Sequence, residues 1–210
     1  MSDILNLIVG IFIGIATNLF SWWILFHGFS PILRFSPSVC KTSRNPTPGN
    51  KTKYVYRVKL ENSGKRGIID VELMVRLRLK GLEGYPKGLS QVVYIPLGSN
   101  GETTHRIPSI SPAKKSGSRP ILIFCTEVQS EFRNLNNYPK HIVNKAKGKS
   151  LLLEDVLKLS SDTFFQIIGF GYDEFSGSRK VFRSKKYTLQ DIIYGNFDRD
   201  GIGVIPTVEE

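Results

Sequence analysis

The sequence predicts a mainly β protein, an antiparallel β-sandwich preceded by a single transmembrane α-helix. Two observations support this: an uncharged apolar run opens the chain, and from Tyr54 onward apolar and polar residues alternate with a period of two. That period is typical of strands with one buried and one solvated face. Short strands separated by Gly, Pro and Ser turns favour a sandwich over an α/β sheet. We divide the chain into a helix (1–26), a basic Pro/Ser-rich linker (27–53) and a β-sandwich domain (54–210).

The apolar run from Ile4 to Phe26 contains 23 residues and no charge. As an α-helix it would be about 34 Å long, enough to cross a hydrocarbon core of about 30 Å. Trp22 and Trp23 lie near its end, where aromatic belts form. A cleaved signal peptide is the competing interpretation. It fits poorly, because the first residues lack Lys and Arg, the run is too long, and no small-x-small cleavage site follows.

The charges that flank this run predict its orientation. Only Asp3 and the terminal amine precede it, whereas the linker that follows it carries five cations and no acid occurs before Glu61. The positive-inside rule therefore places the N-terminus outside the inner (plasma) membrane and the following domain in the cytoplasm. Each cation would also attract anionic lipid headgroups by about 1 kcal/mol. These predicted headgroup contacts are Arg34, Lys41, Arg44, Lys51 and Lys53.

A stripe of small and mildly polar residues runs along the predicted helix. Gly10 and Gly14 form a G-x-x-x-G pair, and the spacing of the whole stripe confines it to about 80° of arc. Such a stripe lets helix backbones approach closely and predicts self-association, although Gly is also common in membrane helices by chance. The predicted helix–helix contacts are Asn6, Gly10, Gly14, Thr17 and Ser21.

The domain contains six clear strand patterns and one weaker one. The longest pattern places Ile69, Val71, Leu73, Val75, Leu77 and Leu79 on one face of a strand. We expect the first two strands to pair as a hairpin, with residues 62–67 as the turn. One helix is predicted over 150–160, and the four prolines of the linker are expected to keep it out of regular ladders. The strands are predicted over 54–61, 69–80, 91–97, 119–128, 163–172 and 178–187, with 105–110 as the weaker candidate.

Signatures of catalysis and of metal binding are missing from the sequence. The three histidines lie far apart, and there is no G-x-S-x-G, C-x-x-C or P-loop motif. We therefore predict no catalytic residue, no metal ligand and no cofactor. Residues 196–203 begin like a calcium loop, but the twelfth position is Thr207 instead of Glu, so a polar turn is the favoured interpretation. The two cysteines, Cys40 and Cys125, imply no disulfide framework.

The net charge of +11 points to anionic partners, either lipid or nucleic acid. Two basic runs lie within 140–149 and 179–186. Along the chain, aromatic residues that could stack on bases are not clearly interleaved with these runs. The pattern therefore favours solvated faces over nucleic-acid binding.

The segment 185–197, KKYTLQDIIYGNF, has the pattern of a fold-closing element. Thr188 and Asp191 predict a capping box, Ile192 and Ile193 would close one end of the sandwich, and Gly195 would end the turn. Its pattern resembles the closing motif of the cytoplasmic domain of inward-rectifier potassium channels. The residues that carry this resemblance are Tyr187, Asp191, Ile192, Tyr194 and Gly195.

Residues 57–81 and 163–187 are also similar to strand pairs of that channel domain. The sequence departs from the channels elsewhere: Lys186 replaces a Ser, Tyr194 a Trp, and Phe197 comes one residue early. The channels also need two membrane helices and a T-x-G-Y-G-like filter, and this chain has neither. The resemblance thus implies an immunoglobulin-like regulatory domain that can oligomerise, without implying a potassium channel.

Together these features predict a non-enzymatic, single-pass membrane protein. Its domain would sense a small-molecule or protein ligand and form a homo-oligomer in contact with membrane lipid. The alternative is a membrane-disrupting or pore-forming effector, for example in bacterial defence, that is activated by assembly of the domain. An enzyme is the third and least supported alternative, because the constellations of catalytic residues are missing.

Overall fold

The computed structural model describes residues 2–43, 54–80, 90–95, 97, 104–116, 119–124, 152–158 and 162–207. One long helix precedes a domain built mainly of strands. The helical elements are α1 (Ser2–Trp23), a π-helical turn (Ile24–Gly28), α2 (Ala113–Ser116), α3 (Leu153–Leu157) and a 3-10 turn (Leu189–Asp191). The strands are β1 (Leu33–Phe35), β2 (Val39–Ser43), β3 (Tyr54–Asn62), β4 (Ile68–Lys80), β5 (Ser90–Ile95), β6 (Thr104–Ile110), β7 (Ile121–Phe124), β8 (Phe164–Asp173), β9 (Arg179–Arg183), β10 (Ile192–Phe197) and β11 (Val204–Pro206).

The helix α1 stands apart from the strands. Its apolar side chains are exposed along its length, and the stretch Asp3–Phe26 is long and apolar enough to cross a membrane. A Cβ placed at Gly10 or Gly14 would have no described atom within 4 Å apart from the backbone of the helix itself. The predicted helix is therefore present, and it exposes its apolar side chains.

The strands form two sheets that share one hydrophobic core, and we call this unit the two-sheet domain. In the first sheet β3 pairs with β1, β2 and β7. On the other side of β2 lies β10, which in turn pairs with β11. In the second sheet the order is β5–β4–β8–β9, and β6 also pairs with β4. Tyr56 and Leu60 of the first sheet and Leu73 and Phe165 of the second all lie in one buried cluster. The predicted mainly β architecture is confirmed.

The predicted hairpin of β3 and β4 is wrong. Each strand pairs only within its own sheet among the described residues, so the turn 63–67 carries the chain from one sheet to the other. Both strands alternate over most of their length between buried and less buried residues, and their buried faces meet across the core. A sheet-to-sheet connection satisfies this pattern as well as a hairpin does, because sheets pack about 10 Å apart.

The predicted linker 27–53 contains two strands, so its assignment as a segment outside the ladders is corrected. β1 pairs with the end of β3, and β2 lies between β3 and β10. Pro31 precedes β1 and Pro37 lies between β1 and β2, so neither proline replaces a donor inside a strand. The remainder of the predicted linker, 44–53, lies outside the described residues.

The inward face of β4 changes at a bulge. Val71, Leu73, Val75, Leu77 and Leu79 are buried as predicted, but Ile68 is buried and Ile69 is exposed. The register with β8 shifts between Ile69 and Glu72, and Asp70 has a φ of 49°. One extra residue in a strand reverses the alternation, and Asp tolerates the left-handed region better than a branched residue does.

The fold-closing segment is anchored by Tyr187. Its ring is buried and stacks on Phe165 at 5.1 Å, and its hydroxyl donates to the backbone carbonyl of Ser36 at 2.6 Å. The predicted capping box is present, since Asp191 accepts a hydrogen bond from the Thr188 amide at 2.8 Å. Burial raises the pKa of the Tyr187 hydroxyl, so this side chain is a neutral donor inside the core.

The residues that follow the capping box form a strand, which corrects two predictions. Ile192 and Tyr194 belong to β10, which pairs in parallel with β2, so the first sheet is mixed where an antiparallel one was expected. Gly195 lies inside β10 and does not end the turn. A Cβ there would overlap the carbonyl oxygen of Ile205 on β11, so glycine is needed for close approach of the backbones.

Candidate functional site

The turn between the two sheets, residues 63–67, packs against the segment that follows α1. The Ser63 amide donates to the carbonyl of Ile32 at 2.9 Å. A Cβ at Gly64 would lie 2.7 Å from Pro31 Cα, so the two backbones approach as closely as glycine permits. This contact fixes the end of the helix beside one end of the two-sheet domain.

Asn62 holds the same junction from inside. Its side chain is fully buried, and its amide nitrogen donates to the carbonyls of Arg66 at 2.7 Å and Ile110 at 3.1 Å. Its amide oxygen accepts from the backbone of Gly64 at 3.0 Å and of Ile32 at 3.3 Å. One side chain thus satisfies backbone groups of β6, the 63–67 turn and the segment after α1.

Arg66 connects the helix end to the domain. Its guanidinium donates to the carbonyl of Leu25, in the π-helical turn, and lies 3.5 Å from the Asp173 carboxylate. It also lies over the rings of Phe175, at 4.3 Å, and Phe29, at 5.9 Å. An arginine in this position combines charge, hydrogen bonding and stacking, which lysine cannot do.

Asp173 is the buried anion of this group. Burial alone would raise the pKa of its carboxyl, but hydrogen bonds from Phe175 and Ser176 and the nearby Arg66 cation lower it overall. The Phe175 amide donates to the carboxylate at 2.9 Å. Asp173 therefore remains ionised at neutral pH and holds Arg66 in place.

A cleft of about 680 Å³ opens beside these residues, and we call it the helix-proximal cleft. This volume is in the range of small-molecule sites. Two cations and one carboxylate line it, and Lys65 lies 4.5 Å from the ring of Phe29. Phe175 is 66% exposed at the rim. The lining residues are Lys65, Arg66, Gly67, Ser111, Pro112, Glu174 and Phe175.

Comparison with known proteins adds little to this geometry. No protein-family model matches the chain, and no curated protein matches it. A solved structure to which it is similar is that of Spo0M, a sporulation control protein from Bacillus subtilis, with 10% identity and a TM-score of 0.33. The match covers 76% of this chain and 49% of that one, so the chain spans about half the length of that protein. A likeness at this level indicates neither a shared family nor a shared function.

Two of the predicted headgroup contacts, Arg34 and Lys41, lie within the described residues. Arg34 is exposed on β1, but Lys41 pairs with Glu154 of α3 at 3.0 Å and lies 4.0 Å over the ring of Tyr54. Lys41 therefore takes part in packing at the first sheet, and its contact with headgroups stays a prediction. Arg44, Lys51 and Lys53 lie outside the described residues.

The predicted helix stripe is exposed on α1. Its glycines leave space for a second helix, whereas the hydroxyl of Thr17 already makes a hydrogen bond. Gly10 and Gly14 leave an open groove, whereas the hydroxyl of Thr17 donates back to the carbonyl of Ile13 and lies 3.4 Å from that of Gly14. Thr17 thus uses its hydrogen within its own helix. Close packing, more than hydrogen bonding by Thr17, is what this stripe provides.

The predicted polar turn and a pair of glycines in β8 have structural roles. In the 196–203 segment the ammonium of Lys59 donates to the carbonyls of Asp198 at 2.7 Å and Arg199 at 3.3 Å, so this turn is tied to β3. Gly169 and Gly171 face the core, where a Cβ would press on Leu73 and Ile68. The two glycines serve packing between strands and form no phosphate loop.

The residues of the helix-proximal cleft were missed because nothing in the linear sequence joins them. They come from the turn after β3, the loop after β6 and the turn after β8. Arg66 belongs to a short basic turn that is indistinguishable from other basic turns of this chain. The one usable signal was Asn62, a residue that begins a turn directly after a strand pattern.

Proposed function

We propose that this chain is a non-enzymatic, single-pass membrane protein that senses an anionic ligand in the helix-proximal cleft and acts as a homo-oligomer. In this proposal α1 crosses the inner membrane of a bacterial cell with the N-terminus outside. The two-sheet domain lies in the cytoplasm and belongs to the immunoglobulin-like class, as its resemblance to the channel domain suggests. The exposed apolar surface of α1 and the cations that follow it support this arrangement.

The observation that carries the sensing role is the position of Arg66. The same guanidinium lines the cleft and binds the Leu25 carbonyl at the end of the helix. An anion in the cleft would compete for Arg66 with Leu25 and Asp173. Occupancy of the cleft would therefore alter the contact that orients α1, which is the differential interaction that any ligand-driven change requires.

The two tryptophans of the chain provide the measurement. Trp22 and Trp23 lie within three residues of Leu25, so intrinsic fluorescence reports on the helix end. We expect inorganic pyrophosphate, added to the full chain in nanodiscs, to change this fluorescence saturably. Arg66→Ala should abolish the change, because it removes both the anion contact and the link to Leu25.

Lys158→Ala is the matched control, since Lys158 is an exposed cation after α3, away from the cleft. It should leave the fluorescence response intact. An identical response in Arg66→Ala and in the unmodified chain would exclude the cleft as the sensor. A response to potassium chloride of equal ionic strength would assign the change to screening alone.

The second candidate function is a membrane-disrupting effector, and the open groove at Gly10 and Gly14 favours it. Small residues allow several helices to pack closely once the domains have assembled. Induced expression in bacterial cells should then depolarise the membrane, and Gly10→Leu with Gly14→Leu should abolish the effect. Ile11→Leu with Ile15→Leu, at the same spacing on another face, is the control. An unchanged cellular effect in the glycine double variant would favour the interaction module.

A further inference from the structure

The second sheet has an outer face, the side opposite the core, on which arginine and aromatic residues are neighbours. Val75 and Leu77 of β4 are buried, so Arg76 and Arg78 point away from the core. Arg76 lies opposite Tyr94 of β5 and Gln166 of β8 in the register. Arg78 lies opposite Val92 and Phe164 in the same two strands. Each of these two arginines therefore has an aromatic ring opposite it in a neighbouring strand.

Cations and aromatic rings are also neighbours on β8 and β9. Phe170 of β8 lies opposite Val181, and Tyr172 lies opposite Arg179. The guanidinium of Arg179 is 4.9 Å from the ring centre of Phe170, and the ammonium of Lys186 is 4.9 Å from that of Phe164. Tyr94 and Tyr172 are 45% and 39% exposed, so ring surface is available to a partner.

The outer face is strongly positive. Carboxylates that accompany its cations include Glu72, opposite Arg106 in the register, and Asp162, 3.5 Å from Lys80. The Nε–H of Arg78 is buried and has no hydrogen-bond partner among the described residues, although its Nη2 lies 3.2 Å from the Ser90 hydroxyl. The cations are Arg76, Arg78, Lys80, Arg106, Arg179, Arg183 and Lys186.

We propose that the outer face of the second sheet binds single-stranded nucleic acid. Cations that track a phosphate backbone, combined with rings on which bases stack, are the means by which sheets recognise single strands. An acidic protein would use the cations and leave the exposed rings without a function. A duplex keeps its bases stacked inside the helix, so it would not use the rings either.

The strand register pairs cations with aromatic rings that are not interleaved in the linear sequence. Along the chain the basic run 179–186 is not interleaved with base-stacking rings, but across the sheet Arg179 and Lys186 lie over Phe170 and Phe164 of the neighbouring strand. The face from Phe164 to Tyr172 is roughly 27 Å long, from about 3.4 Å per residue. A surface of this length fits about four nucleotides, which is at the small end of such sites.

Fluorescence anisotropy on the full chain in nanodiscs of zwitterionic lipid tests the charged part of the proposal. The probes are labelled 20-mers of oligouridylate and oligodeoxythymidylate, and tight binding of either supports the proposal. Arg183→Glu with Lys186→Glu should weaken binding at least tenfold. It should also lower the slope of log affinity against log salt by about 1.4, because two phosphate contacts are lost. Lys158→Glu, one reversed charge away from this face, should change neither quantity.

A second pair of variants tests the rings. Tyr94→Ala with Tyr172→Ala should weaken binding by about tenfold or more without changing the salt slope, because stacking carries no counterion release. Ile205→Ala, which removes an exposed apolar side chain from β11 of the first sheet, is the control. Circular dichroism and melting temperature confirm that each variant is folded.

Three results would overturn the proposal. The first is no saturable binding of either oligonucleotide at physiological salt. The second is binding that survives loss of both tyrosines unchanged. The third is polyglutamate that competes as well as the oligonucleotides do, which would assign the face to an acidic protein.

Discussion

The side-chain amide of Asn62 joins three segments that are distant in sequence, and the stability of the junction depends on it. Its four hydrogen bonds reach Ile32, Gly64, Arg66 and Ile110, and the side chain is fully buried. The sequence identifies Asn62 only as a turn-forming residue, because hydrogen bonds over 30 or 48 positions have no periodic signature. Its role could be found only from the fold.

Replacing Asn62 by Ala should lower the free energy of unfolding by about 3 kcal/mol, because buried backbone groups lose their partners. Chemical denaturation of the full chain in detergent, followed by circular dichroism, measures this loss. Ser63→Ala is the matched control: its hydroxyl is 3.4 Å from the Ile32 carbonyl and partly solvated, so its loss should cost at most about 0.5 kcal/mol. Equal losses in the two variants would contradict the role assigned to Asn62.

Asp173 gives the junction a dependence on pH. Its carboxyl has a lowered pKa in the folded state, so its ionisation stabilises the fold at every pH above the ordinary value of 3.8. That stabilisation is lost as the pH falls from 3.8 through the lower folded-state pKa. The difference in unfolding free energy between the unmodified chain and Asp173→Asn should thus be constant from pH 7 to about pH 5, within the titration limits of a carboxyl. It should shrink below pH 3.8, and a difference that grows on acidification would show that the sign is wrong.

At the scale of elements, the periodicity of the sequence predicts strands well and their partners poorly. β3, β4, β8 and β9 lie where alternation places them. Alternation records which residues face the core, and a strand satisfies it equally in either sheet. For this reason β3 and β4 were assigned to one hairpin, although they lie in opposite sheets. The proline spacing likewise concealed β1 and β2, since the prolines lie at the ends of these strands.

Gly195 tests the assignment of β10 as a strand with a close neighbour. A side chain there would overlap the Ile205 carbonyl and lie 3.1 Å from Pro206 Cα, so Gly195→Ala should displace β11. The expected cost is about 2 kcal/mol, as for other overpacked sites. Thermal unfolding compared with Gly203→Ala, where nothing lies within 4 Å, isolates the steric effect. Were Gly195 a turn residue, as the sequence suggested, the two variants would melt together.

At the scale of the whole molecule, the junction at Arg66 and the outer face of the second sheet lie on different parts of one domain. The first surface is tied to the helix end, and the second presents its charge to solvent. Composition alone gave the excess of positive charge and therefore the class of anionic partners. Only the strand register shows which cations share a face with which rings, because residues far apart in the chain become neighbours across strands.

The orientation of the chain in the membrane is the prediction that most depends on charge distribution. With Asp3 on one flank and only cations on the other, a C-terminal fusion to a fluorescent protein should fluoresce, and one to alkaline phosphatase should be inactive. Ser2→Lys with Asp3→Lys reduces the charge asymmetry and should raise phosphatase activity, because a fraction of the molecules would insert with the opposite orientation. Ser2→Gln with Asp3→Asn, which adds no cation, is the control. An active phosphatase fusion of the unmodified chain would place the domain outside, where neither a cytoplasmic anionic ligand nor nucleic acid could reach it.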